Sequence, residues 1–163
     1  MSFVVIFLLT IAALFVTAFL TKRRFGVLGL ALTAGAMVSE LWVGELTPLI
    51  EETGVILIQP PLQSVVAAGL ILVPAVFLLI SGPTYHRLRQ RIMGALFFAV
   101  LATTLLLDAF GAALIIEGVG KQVYDVLVEY RPIIVTVAIV LALFDLLATK
   151  TPKHAKVAKS AKH

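Results

Sequence analysis

Five long apolar runs, separated by short polar segments, set the pattern of this chain. They fall at residues 3–20, 25–43, 64–80, 92–116 and 132–148. At about 1.5 Å of rise per residue, runs of this length match a hydrocarbon layer about 30 Å thick, the shorter ones with little tilt. The pattern predicts an all-α fold, a polytopic membrane helix bundle with five transmembrane helices. Residues 1–148 form that bundle, with loops at 44–63 and 117–131 on one side. Residues 149–163 form a basic tail without bulky apolar side chains, expected to be disordered.

The runs differ in detail. The first has no basic residue before it and carries Lys22, Arg23 and Arg24 after it, so it reads as a retained helix and not as a cleaved signal. The second follows that triplet at once, which predicts a tight antiparallel hairpin. Its Ala31, Gly35 and Ser39 are four apart on one face, and small faces let helix backbones approach closely in lipid. The favoured reading is a packing seam within the chain; a dimer contact is the other. Thr47-Pro48 reads as a helix start and Gly54 as a stop, giving a short surface helix in the first outer loop. Val55 to Ile58 is too short to span and reads as an interfacial dip. The third run contains Pro74, which leaves the carbonyl of Leu70 without its helical donor and predicts a kink.

The stretch from Tyr85 to Glu117 joins topology to candidate chemistry. A basic loop with His86, Arg87, Arg89 and Arg91 runs into the long fourth segment. Ala95, Ala99 and Thr103 line one small face; Thr104, Asp108 and Ala112 line the next. Together they predict one small and polar face pointing into the bundle. Between residues 117 and 131, Val123, Val126, Leu127 and Tyr130 share a helical face opposite Lys121, Asp125 and Glu129. That periodicity fits an amphipathic helix lying at the interface, although a connector that caps the bundle is the favoured reading, with Pro132 opening the fifth span.

Composition sharpens this picture. The chain has 163 residues, 61% of them hydrophobic and only 13% charged, too little polar surface to coat a water-facing globule. The net charge of +4 matters less than its placement. Lys22, Arg23 and Arg24, then Arg87, Arg89 and Arg91, then Lys150, Lys153, Lys156, Lys159 and Lys162 all fall on one side. The opposite side has Lys121 and Arg131, with Glu45, Glu51, Glu52, Glu117, Asp125 and Glu129. The excess of basic residues on cytoplasmic loops predicts an N-out, C-in topology. Those eleven cations are expected to meet anionic lipid head groups, and this placement beside spans argues against nucleic-acid binding.

Asp108 is the candidate functional residue, with Thr104 one turn earlier. A carboxylate at membrane depth costs a few kcal/mol, so it should be neutral, paired or wet. Asp108 lies nearer the outer end, so a structural role, either reaching the interface or hydrogen bonded to Thr104, stands beside a role in proton or ion handling. Asp145 lies near a span end, within reach of water or Lys150. No catalytic constellation, histidine cluster with ligand spacing, nucleophile elbow or phosphate-cradling loop is present in the sequence. With no cysteine there are no disulfides or thiol ligands. The expectation is a protein that is not an enzyme, with no metal and no cofactor.

Three stretches resemble the CvpA (colicin V production protein) family of small bacterial inner-membrane proteins. They are Lys22-Arg23-Arg24-Phe25-Gly26 leading to Gly35-Ala36-Met37-Val38-Ser39, Arg89-Gln90-Arg91-Ile92-Met93-Gly94-Ala95-Leu96, and Leu107-Asp108-Ala109-Phe110. The resemblance covers roughly residues 5–115. The chain departs from the family in having bulkier residues at the second glycine position of the fourth helix, and in its fifth span and lysine tail. The resemblance implies a multi-pass inner-membrane protein supporting colicin V production or export, or envelope homeostasis, and carries no catalytic residues. Two other readings stand beside it: a small channel, transporter subunit or holin-like pore, and an accessory subunit of a larger complex. Expected partners are membrane lipids and either a second copy or another membrane protein.

Overall fold

The structure is a computed structural model describing residues 3–54, 57, 60–85, 87–114 and 116–148. Among these it contains six helices: α1 Phe3–Thr21, α2 Phe25–Glu51, α3 Leu62–Ser81, α4 Leu88–Leu105, α5 Leu107–Ala113 and α6 Val119–Leu147. All but α5 are long and apolar enough to cross a membrane. Leu41, Phe77, Ile80 and Leu147 are each more than two-thirds exposed. Large apolar side chains displayed on every outer face suit lipid as the solvent, and the chain is a multi-pass membrane protein.

Burial ranks the helices. Half of the apolar window of α4 and 39% of that of α2 are buried, against 11% for α1, α3 and α6. The two helices that carry the stripes of small residues four apart, Ala31, Gly35 and Ser39 in α2 and Ala95, Ala99 and Thr103 in α4, are therefore central. α2 packs on α3, α4 and α6, and α1 packs on α4. Between them Phe25, Leu28, Leu32, Phe98 and Leu101 form a core in which none is more than 2% exposed.

The small faces are internal seams. Ala31, Gly35, Ser39, Ala95, Ala99 and Thr103 are all buried. Gly35 meets α3 at its backbone: a Cβ there would lie 2.5 Å from the carbonyl oxygen of Ile71 and 2.8 Å from that of Leu70. Leu70 is the residue whose carbonyl loses its donor to Pro74, and α3 runs unbroken through that proline. The glycine thus sets its Cα hydrogens against a carbonyl that the proline left unpaired, a weak C–H···O contact at close helix approach. Ser39 Oγ donates to the carbonyl of Ala67 at 3.4 Å, extending the seam by a turn.

Three expected boundaries differ. α2 does not stop at residue 43 and restart at Pro48; it continues to Glu51 with Pro48 inside. Thr47 does not cap a new helix, because its Oγ1 donates back to the Val43 carbonyl at 2.7 Å. Gly54, at φ +87°, follows the helix end as expected. The amphipathic segment at 119–131 is likewise not a separate surface helix: α6 runs through Pro132 without interruption, beginning after Gly118 at φ +58°. A proline removes one backbone bond, whereas ending a helix leaves several orphan groups, so passing through is the smaller loss near lipid. α2 with 27 residues and α6 with 29 are about 40 Å long at about 1.5 Å per residue, enough to cross the hydrocarbon and one headgroup layer.

The fourth run is also broken. It folds as α4 and α5 around Leu106, at φ −86° and ψ 1°. Thr103 and Thr104 donate their hydroxyls to the carbonyls of Ala99 and Val100, at 2.5 and 2.7 Å, just before the break. Such back-bonding bends helices. The interfacial dip at Val55–Ile58 lies outside the described residues except for Leu57, as do His86 and the tail from residue 149.

Candidate functional site

Most polar side chains with cross-helix partners gather in two belts, one at each end of the apolar core. The first belt closes the basic end, where the α1–α2 turn meets the α3–α4 loop. Lys22 takes a left-handed φ of +58°, and the chain reverses there. Backbone bonds from Tyr85 to the Lys22 carbonyl (2.8 Å) and from Arg24 to the Pro83 carbonyl (3.0 Å) clip the two loops together.

Three arginines expected at lipid head groups are used here inside the protein. Arg23 donates Nε to the Leu79 carbonyl at 2.9 Å, and its Nη1 and Nη2 reach the carbonyls of Gly82 and Ile80. One guanidinium therefore caps the last turn of α3. Arg91 donates to the Phe19 carbonyl at 2.7 Å and lies 4.3 Å over the Phe19 ring, capping α1. Arg24 donates to the Asp145 carbonyl at 3.0 Å and sits 3.7 Å from its carboxylate. Cations at helix C-termini also complement the helix dipole. Lys22, Arg87 and Arg89 are exposed and remain available to head groups; Lys150, Lys153, Lys156, Lys159 and Lys162 lie outside the described residues.

Asp145 is a residue whose role sequence spacing understated. Its Oδ2 accepts the Gly26 amide at 2.9 Å, and the Tyr85 hydroxyl accepts the Phe25 amide at 3.1 Å. Arg24, the residue preceding α2, offers no side-chain cap of its own. Two first-turn amides of α2 are thus capped from α6 and from a loop, and a carboxylate at a helix N-terminus is favourable. Gly26 permits this because a Cβ would lie 2.6 Å from the Ala142 carbonyl oxygen. Gly94 permits the Tyr85 ring to approach α4, since a Cβ there would lie 2.6 Å from the ring Cε2.

Tyr85 is only 8% exposed. Burial pushes its phenol up to about 12, with the Phe25 amide pulling it down and Asp145, which accepts from the hydroxyl, raising it. An acid whose folded pKa is raised stabilises the fold while protonated. Its contribution is full below the ordinary value of about 10 and is lost as pH climbs towards 12. Tyr85→Phe should lower stability by about 1 kcal/mol at neutral pH and flatten the alkaline decline, as read by thermal unfolding in detergent across pH. Asp145→Ala should cost about 2 kcal/mol, because it strands the Gly26 amide and removes the carboxylate beside Arg24, which keeps only its bond to the backbone carbonyl.

The second belt holds the predicted candidate. Asp108 does not pair with Thr104. Thr104 is buried and bonded to Val100, whereas the Asp108 side chain is 69% exposed, and Ala112 is exposed too. The break at Leu106 turns this stripe out of the bundle. Asp108 Oδ2 instead accepts from Arg131 Nη1 at 2.6 Å, joining α5 to α6. The pair lines a groove of about 420 Å³ whose other charged member is Glu40 of α2 and whose walls include Thr33, Ala36, Leu105 and Val135. Glu40, near the far end of the second apolar run, reads from the sequence as an ordinary interfacial carboxylate.

The two belts are parallel. Gly26 to Glu40, Gly94 to Asp108 and Arg131 to Asp145 each span fourteen residues. Gly26, Gly94 and Asp145 all belong to the first belt, so Glu40 and Arg131 stand about 21 Å away along unbroken helix, and Asp108, beyond the break at Leu106, joins their level through its bond to Arg131. That places the belts towards opposite edges of a hydrocarbon layer about 30 Å thick. Among the described residues no group of three or more histidines, cysteines or carboxylates could hold a metal ion. No family model matches this chain, and neither the curated proteins nor the solved structures include a match.

Proposed function

We propose that the chain is a CvpA-like integral protein of the bacterial inner membrane, oriented N-out and C-in. It supports colicin V production or export, or envelope homeostasis, as an accessory protein acting through lateral contacts with lipid and membrane partners. The observation that carries this reading is the apolar plug between the belts. Phe25, Leu28, Leu32, Phe98 and Leu101 fill the bundle centre at 2% exposure or less, leaving action at the outer faces. Exposed Lys22, Arg87 and Arg89 at the basic end suit the anionic cytoplasmic leaflet.

The channel, transporter-subunit or holin-like reading requires a hydrated path or an oligomer built on a free small face. The Ala31, Gly35 and Ser39 face is buried against α3 within the chain and does not serve that oligomer. The proposal is tested in cells lacking their own CvpA protein. Expression of this chain is expected to restore colicin V release. Failure to restore it at normal membrane abundance, together with ion flux in liposomes that disappears in Asp108→Asn, would favour the pore. Asp108→Asn is expected to leave folding nearly unchanged, by less than about 1 kcal/mol, because an exposed ion pair contributes little.

A further inference from the structure

We infer that the Glu40–Asp108–Arg131 groove seats the headgroup of a phospholipid bearing a primary amine, phosphoethanolamine in chemical class. The groove combines three features. Its floor is apolar and continuous with lipid-facing side chains, since Met37 on its wall is 63% exposed. Its charged residues stand together at one depth, about 21 Å from the opposite belt. Its two carboxylates and one guanidinium leave a net negative charge.

The unsatisfied groups define the occupant. Among the described residues the Glu40 carboxylate has no hydrogen bond or ion pair, although it lies one turn from fully apolar lipid-facing positions. Glu40 is exposed at the hydrocarbon edge, level with the headgroup layer, where its carboxylate is placed to accept from a headgroup cation. Arg131 commits Nη1 to Asp108 and keeps Nε and Nη2 for an anion. An ammonium on Glu40 and a phosphate on Arg131 answer both needs, and an acyl chain covers the apolar floor. A purely anionic headgroup would add charge to a site that is already negative. A choline headgroup carries the positive charge but has no N–H to donate to Glu40. The seat needs only the multi-pass placement, and not the CvpA-like role.

Native mass spectrometry of the delipidated full chain, with added phosphatidylethanolamine, phosphatidylcholine and phosphatidylglycerol of identical acyl chains, tests this. Phosphatidylethanolamine should bind about tenfold more tightly than phosphatidylcholine, the worth of one hydrogen bond to a charged group. Glu40→Gln should erase that preference, and Glu45→Gln, on the same helix but away from the groove, should keep it. Arg131→Gln should weaken all three lipids. Equal binding of the amine and choline lipids by the unmodified chain would overturn the assignment without recourse to any variant. Tighter binding of phosphatidylglycerol, or a preference that survives Glu40→Gln, would overturn it as well.

Discussion

Gly35→Val is expected to unfold or disassemble the bundle in mild detergent, at a cost of about 3 kcal/mol or more. The added carbon would overlap the carbonyl oxygens of Leu70 and Ile71, which are backbone and cannot swing aside as a side-chain tip could. Relief requires α3 to move away from α2, which opens the most extensive helix interface in the molecule. It also removes the C–H contact to a carbonyl already deprived of its donor by Pro74. Gly69→Ala is the matching control, because a Cβ at Gly69 meets nothing within 4 Å. That substitution should be neutral or slightly stabilising, since alanine favours helix by about 1 kcal/mol over glycine. Unfolding midpoints of the two variants, measured side by side, separate a seam from a general intolerance of change. If Gly35→Val were as stable as Gly69→Ala, the seam would not be where the structure puts it.

Arg23→Lys is expected to lower stability by about 1–2 kcal/mol and Arg23→Ala by about 2–3 kcal/mol. The reasoning turns on geometry more than charge. The guanidinium fork reaches three carbonyls at the end of α3, and those carbonyls have no further helix to bond. A lysine keeps the cation, and with it the basic-side bias and any attraction to head groups, but it cannot reproduce the planar fork. Arg89→Lys, at an exposed position, should have no measurable effect. Equal tolerance of lysine at both positions would return Arg23 to the lipid surface.

These two sites show where sequence reading succeeds and where it stops. The Gly35 seam was legible because packing in lipid leaves a simple mark, small residues four apart, and because helix periodicity alone fixes which residues share a face. The five spans were legible for the same kind of reason: hydrophobic length is local information. The roles of Arg23, Arg24, Arg91 and Asp145 were not. Each depends on a partner 56 to 121 residues away, and a basic residue beside a span looks the same whether it meets phosphate or a carbonyl. Asp108 stood out as the carboxylate within the fourth apolar run, placed by sequence either at the interface or against Thr104; the structure exposes it and pairs it with Arg131. Periodicity carried Asp108 inward on an unbroken helix, whereas the threonine back-bonds and the break at Leu106 turned it outward to Arg131. The prolines misled in the other direction. Pro48 and Pro132 look like helix starts in water-derived statistics, yet here both are carried within long helices.

The absence of native cysteine makes one measurement decisive for the central claim, a sealed apolar layer held between two polar belts. Single cysteines placed at Arg89, Leu101, Asp108 and Asp125 can be challenged in inverted and right-side-out vesicles with a membrane-impermeant maleimide. Labelling at Arg89 from the cytoplasmic face only, at Asp108 and Asp125 from the outer face only, and at Leu101 from neither is the predicted result. Labelling of Leu101 from either face, or of Arg89 and Asp125 from the same face, would contradict the account.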